Sequence, residues 1–242
     1  MRKFLLSLLL LVVFSPLALR ADEVIVGTAD VTTPTAVVPF RNTRDSTYTQ
    51  SIYYKENVGG AKTITAVAFS CNTPTQTSTA STVKVYIGET DKTTHLSAAD
   101  WLAESDGLTL VYEGVNVVLG GEEWENFTFT APYEYSGNKN LVIAVSVDGN
   151  AKNLNLKWDV VKPSENLKPS QHNTGASSVP GMASQKAYIP IIKLTTTGNS
   201  GGETPENPEP ELPTLSVPVV TATAKKCTQI ELAWESVADS AL

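Results

Sequence analysis

The sequence predicts an all-β protein, an antiparallel β-sandwich of jelly-roll-like form. Short apolar/polar alternations recur between residues 22 and 197, a period of two that strands satisfy and helices do not. Clusters of Gly, Asn and Asp separate these runs, at positions where a positive φ is cheap. Helical character is confined to Ser97–Ala103, where Ser97 can cap, Ala98 and Ala99 favour the helix and Asp100 sits in its first turn. One short helical turn is expected there.

The chain opens with Arg2 and Lys3, an almost unbroken apolar run from Phe4 to Phe14, then Ser15-Pro16 and the small residue Ala21. That order is a secretory signal peptide over residues 1–21, with cleavage after Ala21. The run is shorter than the ~20 apolar residues of a spanning helix. No Cys follows it to carry a lipid, and no later segment could span a bilayer.

Strand patterns come next. Val83, Val85 and Ile87 alternate with Lys84 and Tyr86, and Phe127 and Phe129 with Thr128 and Thr130. Leu141, Ile143, Val145 and Val147 share one face of another strand. Leu154, Leu156 and Trp158 share a face of a further one. Ile64–Phe69 and Tyr188–Leu194 are apolar on both faces, as central strands are. Turns fall at Asn57 to Gly60, Gly120-Gly121, Ser136-Gly137-Asn138 and Asp148-Gly149-Asn150. The stretch 162–183 carries three prolines and no period; a loop of that length inside a domain is often functional.

The composition changes after residue 197. Over 198–213, Pro205, Pro208, Pro210 and Pro213 are interleaved with Glu203, Glu206, Glu209 and Glu211, which predicts an extended, semi-rigid spacer. Residues 214–242 contain two strand patterns, one around Val217-Pro218-Val219 and one around Ile230, Leu232 and Trp234. Two strands cannot bury such a face alone, so this segment is expected to be the start of a second, incomplete domain.

Charge narrows the partners. The formal net charge is −7, and residues 1–21 hold three cations and no acid, so the mature chain carries −10. An acidic surface repels phosphate backbones and anionic lipid, which argues against nucleic acid and against electrostatic membrane docking. Cys71 and Cys227 lie in different proposed domains without metal-ligand spacing. A bridge between them is compatible with an oxidising compartment, but two unpaired thiols are the expectation.

Two stretches resemble known families. Leu215–Thr223 followed by Thr228–Trp234, with Pro218 and the Ile230-x-Leu232-x-Trp234 pattern, resembles strands A and B of a fibronectin type III domain. The main body resembles a β-sandwich module of Bacteroidetes-type surface proteins, in the style of gingipain adhesin domains. The matching residues are Gln50–Tyr54, Val58–Gly60, Ile64–Phe69, Val83–Thr93, Asp100-Trp101, Val111–Gly114, Phe127–Phe129, Pro132–Gly137 and Asn140–Ile143. These residues are strand cores and turns. The resemblance therefore implies a fold and a place at the bacterial cell surface, with adhesion to glycan or protein as the expected role.

Enzyme chemistry finds little footing. His95 and His172 are expected as solvated loop histidines, and no G-x-S-x-G elbow accompanies them. Cys71 ends a strand pattern, where a buried structural thiol is usual. Paired carboxylates for glycoside cleavage have no sequence signature, and an arbitrary acidic pair on a sandwich is surface. Asp148-Gly149-Asn150 and Asp159 could offer oxygens to calcium, but without a D-x-D-x-D-G loop the Asp-Gly pair reads as a hairpin turn. Trp101, Trp124 and Trp158 are the candidate sugar platforms. Trp124 and Trp158 are expected in or beside the core, and Trp101 as a pin between the short helix and the sheet. Asn126-Phe127-Thr128 formally matches a glycosylation acceptor but lies in a strand pattern. Asp45-Ser46-Thr47 and Asp239-Ser240-Ala241 match a bacterial O-glycosylation acceptor.

The expected protein is thus a non-catalytic secreted or cell-surface binding module, without cofactor, acting on an extracellular glycan or protein. No catalytic, metal or ligand-binding residue is singled out. Two alternatives stand beside it: the accessory domain of an exported protease or glycosidase whose catalytic part lies elsewhere, and a structural spacer of a surface protein.

Overall fold

The computed structural model describes residues 21–27, 34–163, 167–175, 181, 183–197, 220–224 and 230–234. The chain divides into two compact units between Asn199 and Ser200. Residues 1–20 of the proposed leader, the Pro/Glu spacer, Cys227 and Asp239–Ala241 lie outside the described residues, while Ala21 begins β1.

The first unit is an all-β sandwich of two antiparallel sheets, of four and six strands. The smaller sheet holds β1 (Ala21–Val26), β12 (Ile192–Thr197), β3 (Lys62–Ser70) and β6 (Trp124–Tyr135), in that order. The larger runs β10 (Ser184–Lys186), β9 (Ser170–Thr174), β2 (Thr47–Tyr53), β7 (Asn140–Asp148), β4 (Thr77–Thr90), β5 (Thr109–Gly120). A two-residue pair, β8 (Val160–Val161) with β11 (Ile189–Pro190), stands apart.

Between the sheets lies the expected apolar core. Phe40 sits at its centre, 5.4 Å from Phe69 and 4.7 Å from Trp158, ring to ring. Val83, Val85 and Ile87 on β4 stand beside Ile143, Val145 and Val147 on the paired strand β7, and with Leu141 they line one side of the core. Each such side chain taken out of water contributes about 1.5–3 kcal/mol.

The larger sheet is covered on its outer face as well. Residues 91–108 fold back over it and bury Tyr48, Ile52, Val142 and Ala144 under Trp101 and Leu102. This third layer explains why β2 and most of β7 are buried on both faces. Gln50 fastens it: its amide donates to Leu102 O at 2.6 Å and accepts from Leu102 N at 3.0 Å, as a neighbouring strand would.

Several sequence expectations need correction. Ser97–Ala103 forms no helix but a single hydrogen-bonded turn, in which Asp100 N–H donates to Ser97 O at 3.2 Å; the described helices are α1 (Lys55–Val58) and a 3-10 turn at Glu104–Asp106. Trp101 nevertheless pins that segment, packing 5.3 Å from Tyr48. Leu154 to Trp158 is no strand: Leu154 is exposed, and Trp158 makes only single bridges to Thr35 and Cys71. Within the supposed loop 162–183, Ser170–Thr174 is a strand of the larger sheet. Both histidines are buried, His95 at 1% exposure and His172 at 3%.

The second unit contributes one described antiparallel pair, β13 (Val220–Ala224) with β14 (Ile230–Trp234). β14 is the strand pattern of Ile230, Leu232 and Trp234, while Val217-Pro218-Val219 lies outside the described residues.

Candidate functional site

β2, running from Thr47 to Tyr53, ends where β7 begins and β4 finishes, because Tyr53 pairs with Leu141 and Leu141 with Glu89. Four segments therefore meet at this end of the sandwich: 54–61, 91–108, 136–139 and 167–169. Loops gathered on a rigid sandwich are a common seat for binding residues. Here they enclose a cleft of about 330 Å³.

Tyr54 forms one wall. A strand alternates its side chains, so of the consecutive Tyr53 and Tyr54 the first enters the core, fully buried, and the second turns to the cleft. Tyr54 keeps extended backbone as the cap of α1, and its hydroxyl donates to Thr93 O at 3.1 Å. Partial burial raises the phenol's pKa.

The floor is built around Asn140. Its side-chain oxygen accepts from Lys55 N at 2.9 Å and its amide donates to Lys92 O at 2.8 Å, joining three connections through one buried residue. The rim is polar and mixed in sign. Lys139 pairs with Asp91 at 3.1 Å, and Lys55 Nζ donates to Asn138 O at 3.4 Å. Glu56 and Asn138 also line the cleft. The turn that carries Asn138 is held by Ser136, whose backbone N–H donates to Glu89 at 2.9 Å.

The lid segment is laced to the fourth of these segments. His95 N donates to Lys168 O at 3.0 Å and Lys168 N to Thr94 Oγ1 at 2.8 Å, which sets Leu167 at the cleft. The stretch 162–183 thus contributes to the site through Leu167. Asp100 braces the lid, receiving Lys92 Nζ and Leu96 N–H. Burial alone would raise its carboxyl, but these two donors outweigh it and hold the pKa below the ordinary carboxylate value.

The sequence candidates lie elsewhere. Trp101 and Trp158 are buried, and Trp124 is half-buried with Lys193 Nζ 5.3 Å from its ring centroid. None lines the cleft. His95 holds Asp100 O through Nδ1 at 2.9 Å, and burial lowers its pKa. Cys71 is buried and free. Asp148-Gly149-Asn150 is a turn with Gly149 at φ 62°, at the opposite end of the sandwich, where Asp148 accepts from Ser46 Oγ. Asp159 accepts from Ser70 Oγ at 2.6 Å and Asn72 Nδ2 at 2.9 Å. Among the described residues no three His, Cys, Asp or Glu side chains gather in a metal-binding group, and no helix is long and apolar enough to cross a membrane.

No protein-family model matches this chain, and no curated protein does. Among solved structures it is similar to the cysteine protease and lectin-like domains of Cwp84, a surface layer associated protein of Clostridium difficile. The identity is 12% and the TM-score 0.36, over 63% of this chain and 32% of that one. This chain spans about a third of the other's length, and a likeness at that score carries no argument about function.

Proposed function

We propose that the first unit is a non-catalytic binding module, secreted or held at the cell surface, that takes an extracellular glycan in its loop-end cleft. The supporting observation is the composition of that cleft: one aromatic wall, Tyr54, beside the amide of Asn138 and the charged groups Lys55, Glu56, Asp91 and Lys139. A sugar ring presents an apolar face edged by hydroxyls. A tyrosine face covers the first, while amide, ammonium and carboxylate groups pair with the second. A concave site with a few converging polar groups is the usual form of a small-ligand pocket. The leader pattern at residues 1–21 agrees with export.

Chemical-shift mapping tests this reading. Titration of the mature chain with a glycan that it retains should perturb the Asn138 side-chain amide and the Tyr54 ring first. Perturbations centred on another face would sink it. Asn138→Ala should weaken binding about tenfold, the worth of one good hydrogen bond.

A further inference from the structure

Lys84, Lys92, Lys139 and Lys193 each pair with a carboxylate. Arg41 and Lys186 have no such partner among the described residues, and neither do Lys55 and Lys62. What sets Arg41 and Lys186 apart is that both converge on one buried imidazole.

That imidazole is His172, on β9 opposite Thr49 of β2. Arg41 Nη1 lies 2.9 Å from its Nδ1. A guanidinium can only donate, so Nδ1 accepts and the ring is neutral. Arg41 Nε also donates to Thr43 Oγ1 at 3.2 Å, which leaves other N–H groups uncommitted. Lys186 stands on β10 opposite Ser170, two residues along from Ser184, the partner of His172; strand alternation gives it the same face of the hairpin. Arg44 follows one turn after Arg41, its N–H donating to Arg41 O at 3.2 Å.

The electrostatics agree with this geometry. Burial, then Arg41, then Lys186 depress the proton affinity of His172. For Arg41 the causes are burial and then Arg44, partly offset by the Tyr188 phenol. No carboxylate acts on His172, whether from β2, from β10 or from the 34–46 segment. Asp45 stands beside Arg44 and shares a cleft with it, but no carboxylate pairs with Arg41 or Lys186 among the described residues, and two such cations at the edge of an acidic protein favour an arriving anion.

We propose that Arg41 and Lys186 form a binding site for one oxyanion, a carboxylate or sulfate group of an extracellular ligand, at the β9–β10 edge of the larger sheet. The Arg41 fork matches such a group in two-point contact. His172 is linked to it: a proton from solvent on Nδ1 displaces the Arg41 N–H, freeing that donor for the anion. Anion and proton therefore bind together, and each strengthens the other by the same factor.

The test is an NMR titration of the His172 imidazole in the mature full-length chain, in sodium sulfate, sodium trifluoroacetate (a carboxylate that stays ionised near the His172 midpoint) and sodium chloride at equal ionic strength. The expected result is a His172 midpoint about one pH unit higher in sulfate or trifluoroacetate than in chloride, a tenfold linkage. A response to either anion supports the site and identifies which group it prefers. Arg41→Gln should abolish the difference. Lys186→Gln, which breaks no described hydrogen bond, should reduce it severalfold and keeps the test readable if Arg41→Gln loosens the edge. Equal midpoints in all three salts, or a full response in Lys186→Gln, would overturn the proposal.

Discussion

At the residue scale, a buried histidine and a half-buried glutamate pull the pH dependence of stability in opposite directions. His172 is pushed down to about 4, by burial first and then by Arg41 and Lys186. Its folded pKa lies below its unfolded value of about 6.5, so the unfolded chain takes the proton first as pH falls. The contribution is present above pH 6.5 and drains away towards pH 4. In a salt without a bound oxyanion, wild-type melting temperature should fall over that window, and His172→Gln should flatten the slope. Glu125 behaves oppositely. Burial lifts it to about 7, Glu122 adds to the rise, and the Gly120 N–H it accepts at 2.6 Å only partly offsets them. Folding then costs more as pH rises from 4.5 through 7. Glu125→Gln should stabilise the protein by about 1–2 kcal/mol at pH 8, after allowance for solvent screening, and by almost nothing at pH 4. Urea denaturation at both pH values checks the sign.

The histidines also show where the sequence stops being informative. His95 and His172 stand in stretches rich in Thr, Ser, Asn and Gln, and nothing local indicates burial. Both are buried by partners far along the chain, His172 by Arg41 and His95 by the Lys168 and Gln185 contacts. Tyr54 was within reach: two adjacent tyrosines closing a strand must point to opposite faces, so one of them had to leave the core.

At the element scale, the segment 91–108 is the least regular part that matters most. It closes one side of the cleft and buries the outer face of β2 and β7, yet it has almost no secondary structure of its own. Its shape comes from side chains that stand in for a neighbouring strand. Gln50→Ala leaves the buried Leu102 N–H and C=O without these partners and should cost about 2–3 kcal/mol. Hydrogen exchange should then accelerate over 92–103 while β4 and β7 stay protected. The turn after β6 is as constrained. Gly137 has φ 73°, and a Cβ there would lie 2.3 Å from Ala61 N. Gly137→Ala should lower stability by about 1–3 kcal/mol through strain at that backbone, visible as a lower melting temperature with the cleft's Asn138 displaced.

Elements with strict alternation, such as 83–87 and 141–147, were legible because their pattern records the core directly. The helical turn expected at Ser97–Ala103 was not, because good helix formers were overruled by the packing of Trp101 and Leu102. Leu154–Trp158 imitates a strand because Leu156 and Trp158 share the core without a neighbouring strand to pair with.

At the scale of the whole molecule, the fold class was readable from patterning, and the site was not. A cleft made by four segments from distant parts of the chain leaves no spacing in the sequence. Entry to and exit from the sandwich lie at the cleft's end, since Asp22 pairs with Thr196 and Thr196 with Ile64. The oxyanion site is separate, on the edge hairpin. Loss of one site should leave the other intact.

The central claim is that the cleft beside Tyr54 is the ligand site. The direct measurement is a paired screen of the mature chain and its Tyr54→Ala variant on a glycan array and a matrix-protein panel. Circular dichroism and melting would confirm that both are folded. The account predicts retention of at least one glycan by the wild type and a loss of about tenfold or more in the variant, the scale of one aromatic contact. Silence of the wild type on both panels, or glycan binding indifferent to Tyr54→Ala, would contradict it.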